Sequence, residues 1–283
     1  MQLGEANQAS ERTGVALFDE SVRLVANVGA GPNLFVATFE APRLSEAIAP
    51  GQFVHMGIPG MDSHILRRPF SVYRRDRKSE TVDILYQTVG FGTKHLAGID
   101  PEGSLADAFS LVGPVGRGWD PPEATSRALL VGGGVGAAPL FMLAESLRNR
   151  GVPTTVVLGA QTHAALACET SYLELLGEED VRCATDDGSY GRAGFCTSLV
   201  TEALDEASEA SSPFDYVAVC GPEPLMRIVA KEAQGRNVAC EVSMERRMAC
   251  GIGACLSCVV ETTGGKKRSC VDGPVFVGEE VAW

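Results

Sequence analysis

The spacing of apolar residues changes twice along the chain and divides it into three parts. In the first part, residues 15–120, the apolar runs are short and β-branched, several alternate with period two, and Gly/Pro-rich joints separate them. This pattern predicts a small antiparallel barrel or sandwich. The stretch Gly113–Pro122 has the composition of a linker. The expected strands are Leu34–Phe39, Gln52–Met56, Phe70–Tyr73 and Thr81–Thr88.

The second part, residues 126–237, alternates apolar strands with helical stretches, which implies βαβ units on a parallel sheet. The third part, residues 238–283, carries five of the nine cysteines and is predicted as a small C-terminal metal-binding module. The expected fold class is therefore mixed β and α/β, with an N-terminal antiparallel β-barrel. The expected elements of the second part are strands Ala128–Val131, Thr155–Leu158 and Tyr216–Val219 and helices Pro139–Arg150, Thr197–Ala207 and Glu223–Gln234.

Composition and charge narrow the classes of partner. The 283 residues are 45% hydrophobic, which is ample for buried cores. Lys and Arg total 24 against 36 Asp and Glu, and the resulting formal charge of −12 argues against nucleic-acid binding. The uncharged run Ala128–Ala144 contains four Gly and a Pro, and it is shorter than the roughly 20 apolar residues of a membrane span. We therefore expect neither nucleic acid nor a membrane span.

The first residues of the chain also bear on its location. Residues 1–14 are polar and contain no apolar core of a secretion signal, so we expect a flexible tail and a cytoplasmic protein. In a reducing compartment, cysteines are more often reduced, buried or metal-bound than paired in disulfides.

The strongest chemical motif is a group of four cysteines. Cys250 and Cys255 are separated by four residues, Cys258 follows after two more, and Cys270 follows after eleven. The first three have the plant-type 2Fe–2S spacing, although the fourth cysteine of plant-type ferredoxins lies much further downstream. A four-cysteine zinc site usually has two C-x2-C knuckles, whereas this segment has one, so zinc is the weaker interpretation. Two unrelated disulfides are weaker still.

Two short motifs in the first part suit a flavin nucleotide. Arg68-Pro-Phe-Ser71 offers a cation for pyrophosphate, a ring to stack on a flavin and a hydroxyl for its edge. The motif alone is weak, because a strand end with one solvated Arg would look the same. Gly90-Phe-Gly-Thr93 follows a predicted strand and opens a helix, where backbone N–H groups can bind phosphate.

The second part contains three loops of the kind that bind dinucleotides. Leu130–Pro139 is glycine-rich and joins a strand to a helix, with Ala137 in place of the third Gly of the usual fingerprint. Cys220–Met226 follows a later strand, and Thr185–Gly191 is either a third binding loop or a polar turn. Leu158–Gln161 offers no cation for a 2′-phosphate, which favours NAD over NADP unless Arg192 folds into reach.

The order of these motifs resembles the ferredoxin–NADP reductase superfamily: R-x-[YF]-S, then G-G-G-x-G-x-x-P, then C-G-P. The run Ser243–Val259, with Arg268–Phe276, is similar to one branch, the electron-transfer subunits of class 1B, NAD-linked dihydroorotate dehydrogenase. The resemblance covers nearly all of the chain after the first fourteen residues. It divides the chain into a tail (1–14), an FAD-binding barrel (15–120), an NAD-binding α/β domain (126–237) and a 2Fe–2S module (238–283).

The resemblance also implies roles for individual residues. Cys220 would lie near the nicotinamide, at the site of hydride transfer. The implied ligands of the 2Fe–2S cluster are Cys250, Cys255, Cys258 and Cys270. The implied FAD contacts are Arg68, Pro69, Phe70, Ser71, Leu85, Tyr86, Gln87, Gly92 and Thr93. The candidate NAD contacts are Gly132, Gly133, Gly134, Gly136, Asp186, Gly221 and Pro222. Single histidines, namely His55, His64 and His163, are read as structural.

The function implied is electron transfer in pyrimidine biosynthesis. Electrons would pass from a separate FMN-containing, dihydroorotate-oxidising catalytic subunit through the cluster to FAD and on to NAD, in a heterotetramer with two copies of each chain. One alternative is an NAD(P)H:acceptor reductase subunit of the same superfamily, serving ferredoxin or sulfur compounds. An alternative of another class is a flavin-free, zinc-binding scaffold.

Overall fold

A computed structural model describes residues 16–61 and 64–283, so the predicted tail at 1–14 lies outside the described residues. The chain packs into two compact units, and each is discontinuous in sequence. The first unit contains the described residues up to Gly118 together with Glu245–Glu261 and Gly265–Val275. The second unit contains Trp119–Met244, Thr262–Gly264 and Phe276–Trp283.

The first unit is built on a seven-stranded sheet with the order β4-β3-β7-β1-β2-β6-β5. Neighbouring strands are antiparallel. The strands are β1 Phe18–Gly31, β2 Leu34–Glu40, β3 Phe53–Gly57, β4 Arg68–Ser71, β5 Arg74–Asp76, β6 Thr81–Gln87 and β7 Phe109–Val115. Two short helices, α1 Pro42–Ala47 and α2 Phe91–Ala97, lie between strands.

The sheet curls into the predicted barrel. Strands β4 and β5 stand at opposite ends of the strand order, yet only Val72 and Tyr73 separate them along the chain. Val72 N–H donates to Gln52 O beside β3, and Tyr73 N–H donates to the carbonyl of Asp83 on β6. The two ends of the sheet are thereby brought together, and large side chains such as Phe39 and Phe109 fill its interior.

The barrel differs from the sequence-based expectation in several strands, since β1, β5 and β7 were not among the expected ones. The long strand β1 was not among the expected strands, because buried Glu20 interrupts its apolar alternation. The Glu20 carboxylate accepts hydrogen bonds from the N–H groups of Arg43 and Leu44, each at 2.9 Å, and so caps the start of α1. Residues 113–115, predicted as linker, are instead the end of β7, which pairs with both β1 and β3.

The second unit is the predicted α/β domain, with a seven-stranded sheet. Its strands are β8 Ala128–Gly133, β9 Thr154–Ala160, β10 Val181–Thr185, β11 Arg192–Ala193, β12 Tyr216–Cys220 and β13 Ala239–Ser243. Strand β16 Val275–Val277 completes this sheet. Strands β14 Val259–Thr262 and β15 Gly265–Arg268 form a separate two-stranded sheet, most of which belongs to the first unit. The helices are α3 Ala138–Asn149, α4 Glu169–Leu176, α5 Thr197–Glu209 and α6 Glu223–Gly235.

The strand order of the second unit is β11-β10-β9-β8-β12-β13-β16, and the pairs from β11 to β13 are parallel. Chain order runs outward in one direction from β8 to β10 and in the other from β12 to β13. The reversal between β8 and β12 is the switch point at which open α/β sheets bind ligands, outside the carboxyl ends of the strands. Among the described helices, none combines the length and the apolar character that crossing a membrane requires.

The predicted C-terminal module, 238–283, is shared between the two units and does not form a third. Strands β13 and β16 belong to the parallel sheet, whereas the four-cysteine segment belongs to the first unit. The reason is packing, because Cys258 and Cys270 are buried against Phe53 and Val115 of the barrel. The functional boundaries drawn at 120, 126 and 238 stay predictions.

Candidate functional site

The four candidate cluster cysteines lie on one segment of the first unit, on both sides of the β14–β15 hairpin. The hairpin turns the chain back, so that the Ser269 N–H donates to Cys258 O at 2.9 Å. The sulfurs of Cys258 and Cys270 are then 3.3 Å apart. The eleven residues between these two cysteines are therefore a hairpin that returns the fourth cysteine to the third.

The loop between Cys250 and Cys255 curls tightly on two glycines. Gly251 and Gly253 have φ of +69° and +81°, a region that favours glycine. Cys255 N–H donates to Cys250 Sγ at 3.4 Å. Backbone N–H groups directed at thiolate sulfur are the donors that an iron–sulfur cluster requires, so the loop fits such a group.

The cysteines differ in their surroundings. Cys255 is exposed, and hydrogen bonds from the Ser257 side chain and backbone lower its pKa to about 6. Cys270 is buried, and its desolvation, with the neighbouring Cys258, raises its pKa to about 12. A bound metal centre would hold such a thiol deprotonated. In residues 16–61 and 64–283, no three His, Cys, Asp or Glu side chains converge to hold a metal ion.

Strand β3 supports this segment with one of its faces. Phe53 and His55 are two residues apart and so project to the same side of β3, and their rings are 5.8 Å apart. Phe53 packs against Cys258 and Cys270, and the His55 ring contacts Gly251. The neighbouring strand β4 places Ser71 opposite Phe53 and Pro69 opposite His55. The cysteine segment and the Arg68–Ser71 motif are thus carried by adjacent strands.

The two flavin motifs come together at Arg68 and Gly92. A Cβ at Gly92 would lie 3.0 Å from Arg68 Nε, so the guanidinium lies over the first turn of α2. Arg68 donates to the carbonyl oxygens of His64 and Leu66, which do not neutralise its charge. A cation over a glycine-lined helix start suits a pyrophosphate.

The Thr93 side chain has a structural role at the start of α2. Its Oγ1 accepts hydrogen bonds from the N–H groups of Val89 at 2.9 Å and Gly90 at 3.2 Å. The hydroxyl therefore holds the turn that begins α2, and we assign any phosphate contact of Thr93 to its backbone.

The aromatic residues of the candidate flavin site are partly engaged in the barrel. Phe70 meets Tyr86 edge-on with centroids 6.0 Å apart. Tyr86 is buried and donates its hydroxyl to Asn27 Oδ1 at 2.9 Å, and burial raises its pKa to about 12. Leu85 is also buried, whereas Gln87 is exposed. Among Leu85, Tyr86 and Gln87, only Gln87 has an exposed side chain. Any flavin contact of Leu85 and Tyr86 would therefore use their backbone atoms.

In the second unit, the candidate nucleotide residues meet at the switch point. A Cβ at Gly136 would lie 2.5 Å from the carbonyl oxygen of Cys220, and one at Gly133 would lie 2.9 Å from Pro222 Cδ. Gly221 has φ of +152° and abuts the Gly133 backbone. The loops after β8 and β12 therefore touch through glycine, and Cys220 stands at the end of β12 beside them. Gly132 packs tightly on Ala137, and Gly134 has φ of +55° with open space around it.

Asp186 lies apart from that group. Its N–H donates to Ala160 O at 3.0 Å, beyond the end of β10, which is two strands from β8. At about 4.8 Å per strand, the separation is on the order of 10 Å. The cation considered for a 2′-phosphate, Arg192, forms a two-pronged ion pair with Glu202 at 2.8 and 2.9 Å.

Two residues of the first unit lie outside the predicted sites but contribute to their surroundings. Asn27 on β1 accepts a hydrogen bond from the Tyr86 hydroxyl. No sequence motif includes Asn27, so this contact could not be predicted. The sequence predicts a structural role for His55, which is the one polar side chain among apolar residues in the buried strand β3. A lone polar residue in a buried apolar strand is the sequence feature that could have indicated a role for His55.

Two family models match parts of the chain. Residues 245–282 match the iron–sulfur cluster binding domain of dihydroorotate dehydrogenase B, and residues 130–231 match the oxidoreductase NAD-binding domain. The dihydroorotate dehydrogenase B (NAD(+)) electron transfer subunit of Desulforamulus reducens is 35% identical over 271 residues, which cover 94% of this chain and 98% of the relative. The subunit of the same name from Geobacillus kaustophilus is 39% identical over 266 residues, 92% of this chain and 95% of the relative.

Two solved structures have a similar fold. A structure of an NADH-dependent reduced ferredoxin–NADP oxidoreductase, determined for insight into flavin-based electron bifurcation, matches with TM-score 0.79 and 31% identity, over 93% of this chain and 90% of that chain. The ferredoxin reductase of carbazole 1,9a-dioxygenase matches with TM-score 0.64 and 19% identity, over 79% of this chain and 67% of that one. The second match supports the fold alone. The predicted fold class is confirmed.

Proposed function

The chain belongs to the family of dihydroorotate dehydrogenase B (NAD(+)) electron transfer subunits, and on that premise we propose that it carries electrons from dihydroorotate oxidation to NAD⁺. The electrons come from a separate catalytic subunit that contains FMN. The route runs through a 2Fe–2S cluster and FAD on this chain, in pyrimidine biosynthesis. The family is the one that the motifs predicted.

One observation carries the proposal. The four-cysteine segment packs on β3, and the adjacent strand β4 bears Arg68–Ser71. Adjacent strands are about 4.8 Å apart, so cluster and flavin held by these residues would be near neighbours. When bound, the cluster supplies one-electron transfer, NAD supplies hydride chemistry, and the flavin connects the two.

The residues of the first unit have these proposed roles. Cys250, Cys255, Cys258 and Cys270 hold the cluster. Arg68 and the backbone at Gly92 and Thr93 hold the FAD pyrophosphate. Phe70 and Ser71 face the flavin ring, with Pro69 and the Leu85–Gln87 strand beside them.

The residues of the second unit have the nucleotide as their proposed ligand. We propose that NAD approaches the protein backbone closely at two loops, because their residues have no side chain or only the small proline ring. These residues are Gly132, Gly133, Gly134 and Gly136 in the first loop and Gly221 and Pro222 in the second. Cys220 is placed at the nicotinamide, and Asp186 at a more distant part of the dinucleotide. NAD is preferred to NADP, because Glu202 already binds the Arg192 guanidinium.

The partner is the finer part of the proposal. The relatives are named as electron transfer subunits, which supports a catalytic partner for this chain. We propose an assembly of two copies of each subunit. A second candidate function is an NAD(P)H:ferredoxin reductase subunit, favoured by the 31% identity to the ferredoxin–NADP oxidoreductase structure.

The test is anaerobic isolation with the native partner, followed by metal and flavin analysis and activity. We expect about two iron atoms and one FAD per chain, and dihydroorotate-dependent reduction of NAD⁺. One zinc and no iron would overturn the cluster and favour the scaffold alternative. Iron and FAD with ferredoxin-linked but no dihydroorotate-linked activity would favour the second candidate.

A further inference from the structure

His55 is a buried polar side chain whose ring nitrogens have no hydrogen-bond partner in the part of the chain that the structure describes. Its exposure is 1%, and among the described residues both of its ring nitrogens are buried without a hydrogen-bond partner. Burial, with a smaller contribution from the Arg67 charge, lowers its pKa to about 4. The ring is therefore neutral at neutral pH and carries one N–H. Buried donors left unpaired are rare and costly, so this one calls for an explanation.

The position of the ring identifies what it faces. His55 shares one face of β3 with Phe53, and that face supports the cysteine segment. A Cβ at Gly251 would lie 2.9 Å from both Nε2 and Cδ2 of His55, so the Nε2 edge of the ring abuts the loop between Cys250 and Cys255. Within the sheet, at one edge of β3, His55 stands opposite Pro69 of β4.

We propose that His55 is a positioning residue for the iron–sulfur cluster, and that its Nε2–H donates a hydrogen bond to a sulfur of the site on the Cys250 side. The inference rests on the proposed function, because the sulfur acceptor belongs to the proposed cluster site. Reduction adds negative charge to the sulfurs, and a hydrogen bond from a neutral donor stabilises the reduced state. His55 would therefore raise the cluster potential.

Packing alone does not explain the choice of residue. A Phe at position 55 would fill a similar flat space against Gly251 without burying two nitrogens. The ring nitrogen is useful only if an acceptor is present, and the loop against which it lies is the one proposed to surround the cluster. Gly251 fits the same interpretation, because any side chain there would push the loop off the ring.

The direct test is pulsed electron paramagnetic resonance of the reduced holoenzyme with its partner, after incorporation of ¹⁵N-labelled histidine. We expect a weak ¹⁵N coupling to the reduced cluster in the wild-type chain, and its loss in His55→Phe. His163→Phe is the matched control, because that ring stacks on Tyr190 and pairs with Glu169, and it should keep the coupling. If His55→Phe does not fold, His55→Gln supplies the same comparison, because it also removes the labelled ring.

A redox titration gives the second readout. His55→Phe should shift the cluster midpoint potential downward, and His55→Gln, which restores an N–H donor, should recover part of the shift. A normal cluster signal without histidine coupling, or with an unchanged potential in His55→Phe, would overturn the inference and leave the proposed function standing. Absence of iron and of any cluster signal would overturn the proposed function itself.

Discussion

The two units build their candidate sites in opposite ways. In the barrel unit the site consists of side chains: four thiols, a guanidinium and aromatic rings supported by β3 and β4. In the parallel-sheet unit it consists largely of missing side chains, because glycines let the loops after β8 and β12 touch. The difference follows from the ligands, since a cluster needs thiolate donors whereas a dinucleotide needs close approach to backbone N–H groups.

The contrast predicts different tolerance to added atoms. A Cβ at Gly92 would meet the Arg68 side chain at 3.0 Å, and a long side chain can move aside. A Cβ at Gly136 would meet the Cys220 carbonyl at 2.5 Å and the Gly221 nitrogen at 2.7 Å, and backbone atoms cannot move without shifting a strand. The first site should fail when functional groups are removed, and the second when atoms are added.

The largest effect is expected from removing a thiol. Cys255→Ser should lower dihydroorotate-dependent electron transfer through the partner by at least about a hundredfold, because cluster binding needs its thiolate. Reduction of dichlorophenolindophenol by NADH should persist, because the residues of the proposed FAD and NAD sites lie elsewhere in the sequence. Both rates and the iron content are measured, with Cys183→Ser as the control. Full partner-coupled activity would remove the cluster from the electron path, and loss of dye reduction with FAD still bound would contradict the separation of the two sites.

The next effect tests the glycine site. Gly136→Ala should lower kcat/KM for NADH with the dye by at least about tenfold, since overpacking of this kind costs about 1–3 kcal/mol. Iron and FAD content should not change. Gly235→Ala is the matched control, because a Cβ there meets nothing within 4 Å. Wild-type kinetics in Gly136→Ala would show that the loops can separate without loss of function.

The sequence predicted the local patterns of both units well. The strand–helix alternation of the second unit is confirmed, because each element carries its own apolar period. The sequence predicts the antiparallel barrel but not its strand β1. The reason is that Glu20 is buried in β1, where its carboxylate caps α1, a helix that follows β2 in the chain. Local spacing does not encode such a tertiary hydrogen bond.

The candidate sites divide in the same way. The four cysteines could be selected because their spacing is written in one short segment. The relation of His55 to Gly251 could not be selected, since 195 intervening residues separate them in the chain and only the folded barrel brings them together. The sequence motif also does not predict that the Thr93 hydroxyl caps α2, because a motif specifies the residue and not which of its atoms makes a contact.

A smaller effect is expected at the flavin phosphate. Arg68→Ala should raise the Kd for FAD by roughly tenfold to a hundredfold, because a charged hydrogen bond contributes about 1.5–3 kcal/mol. Fluorescence titration of the flavin-depleted protein measures it. Arg77→Ala, which removes an exposed ion pair with Glu46, should bind FAD like the wild type. Equal affinity in Arg68→Ala would place the pyrophosphate away from α2.

The smallest effect is expected at the nucleotide specificity of the second unit. Glu202→Gln should release Arg192 and raise kcat/KM for NADPH by about two- to fivefold, because an exposed ion pair contributes about 0–1 kcal/mol and one negative charge near a 2′-phosphate is removed. NADH kinetics should change little. Glu206→Gln, which breaks the neighbouring pair with Arg182, is the control and should leave the NADPH rate unchanged. If Glu202→Gln and wild type use NADPH equally, Arg192 does not reach the nucleotide, and the preference for NAD must arise from another part of the second unit.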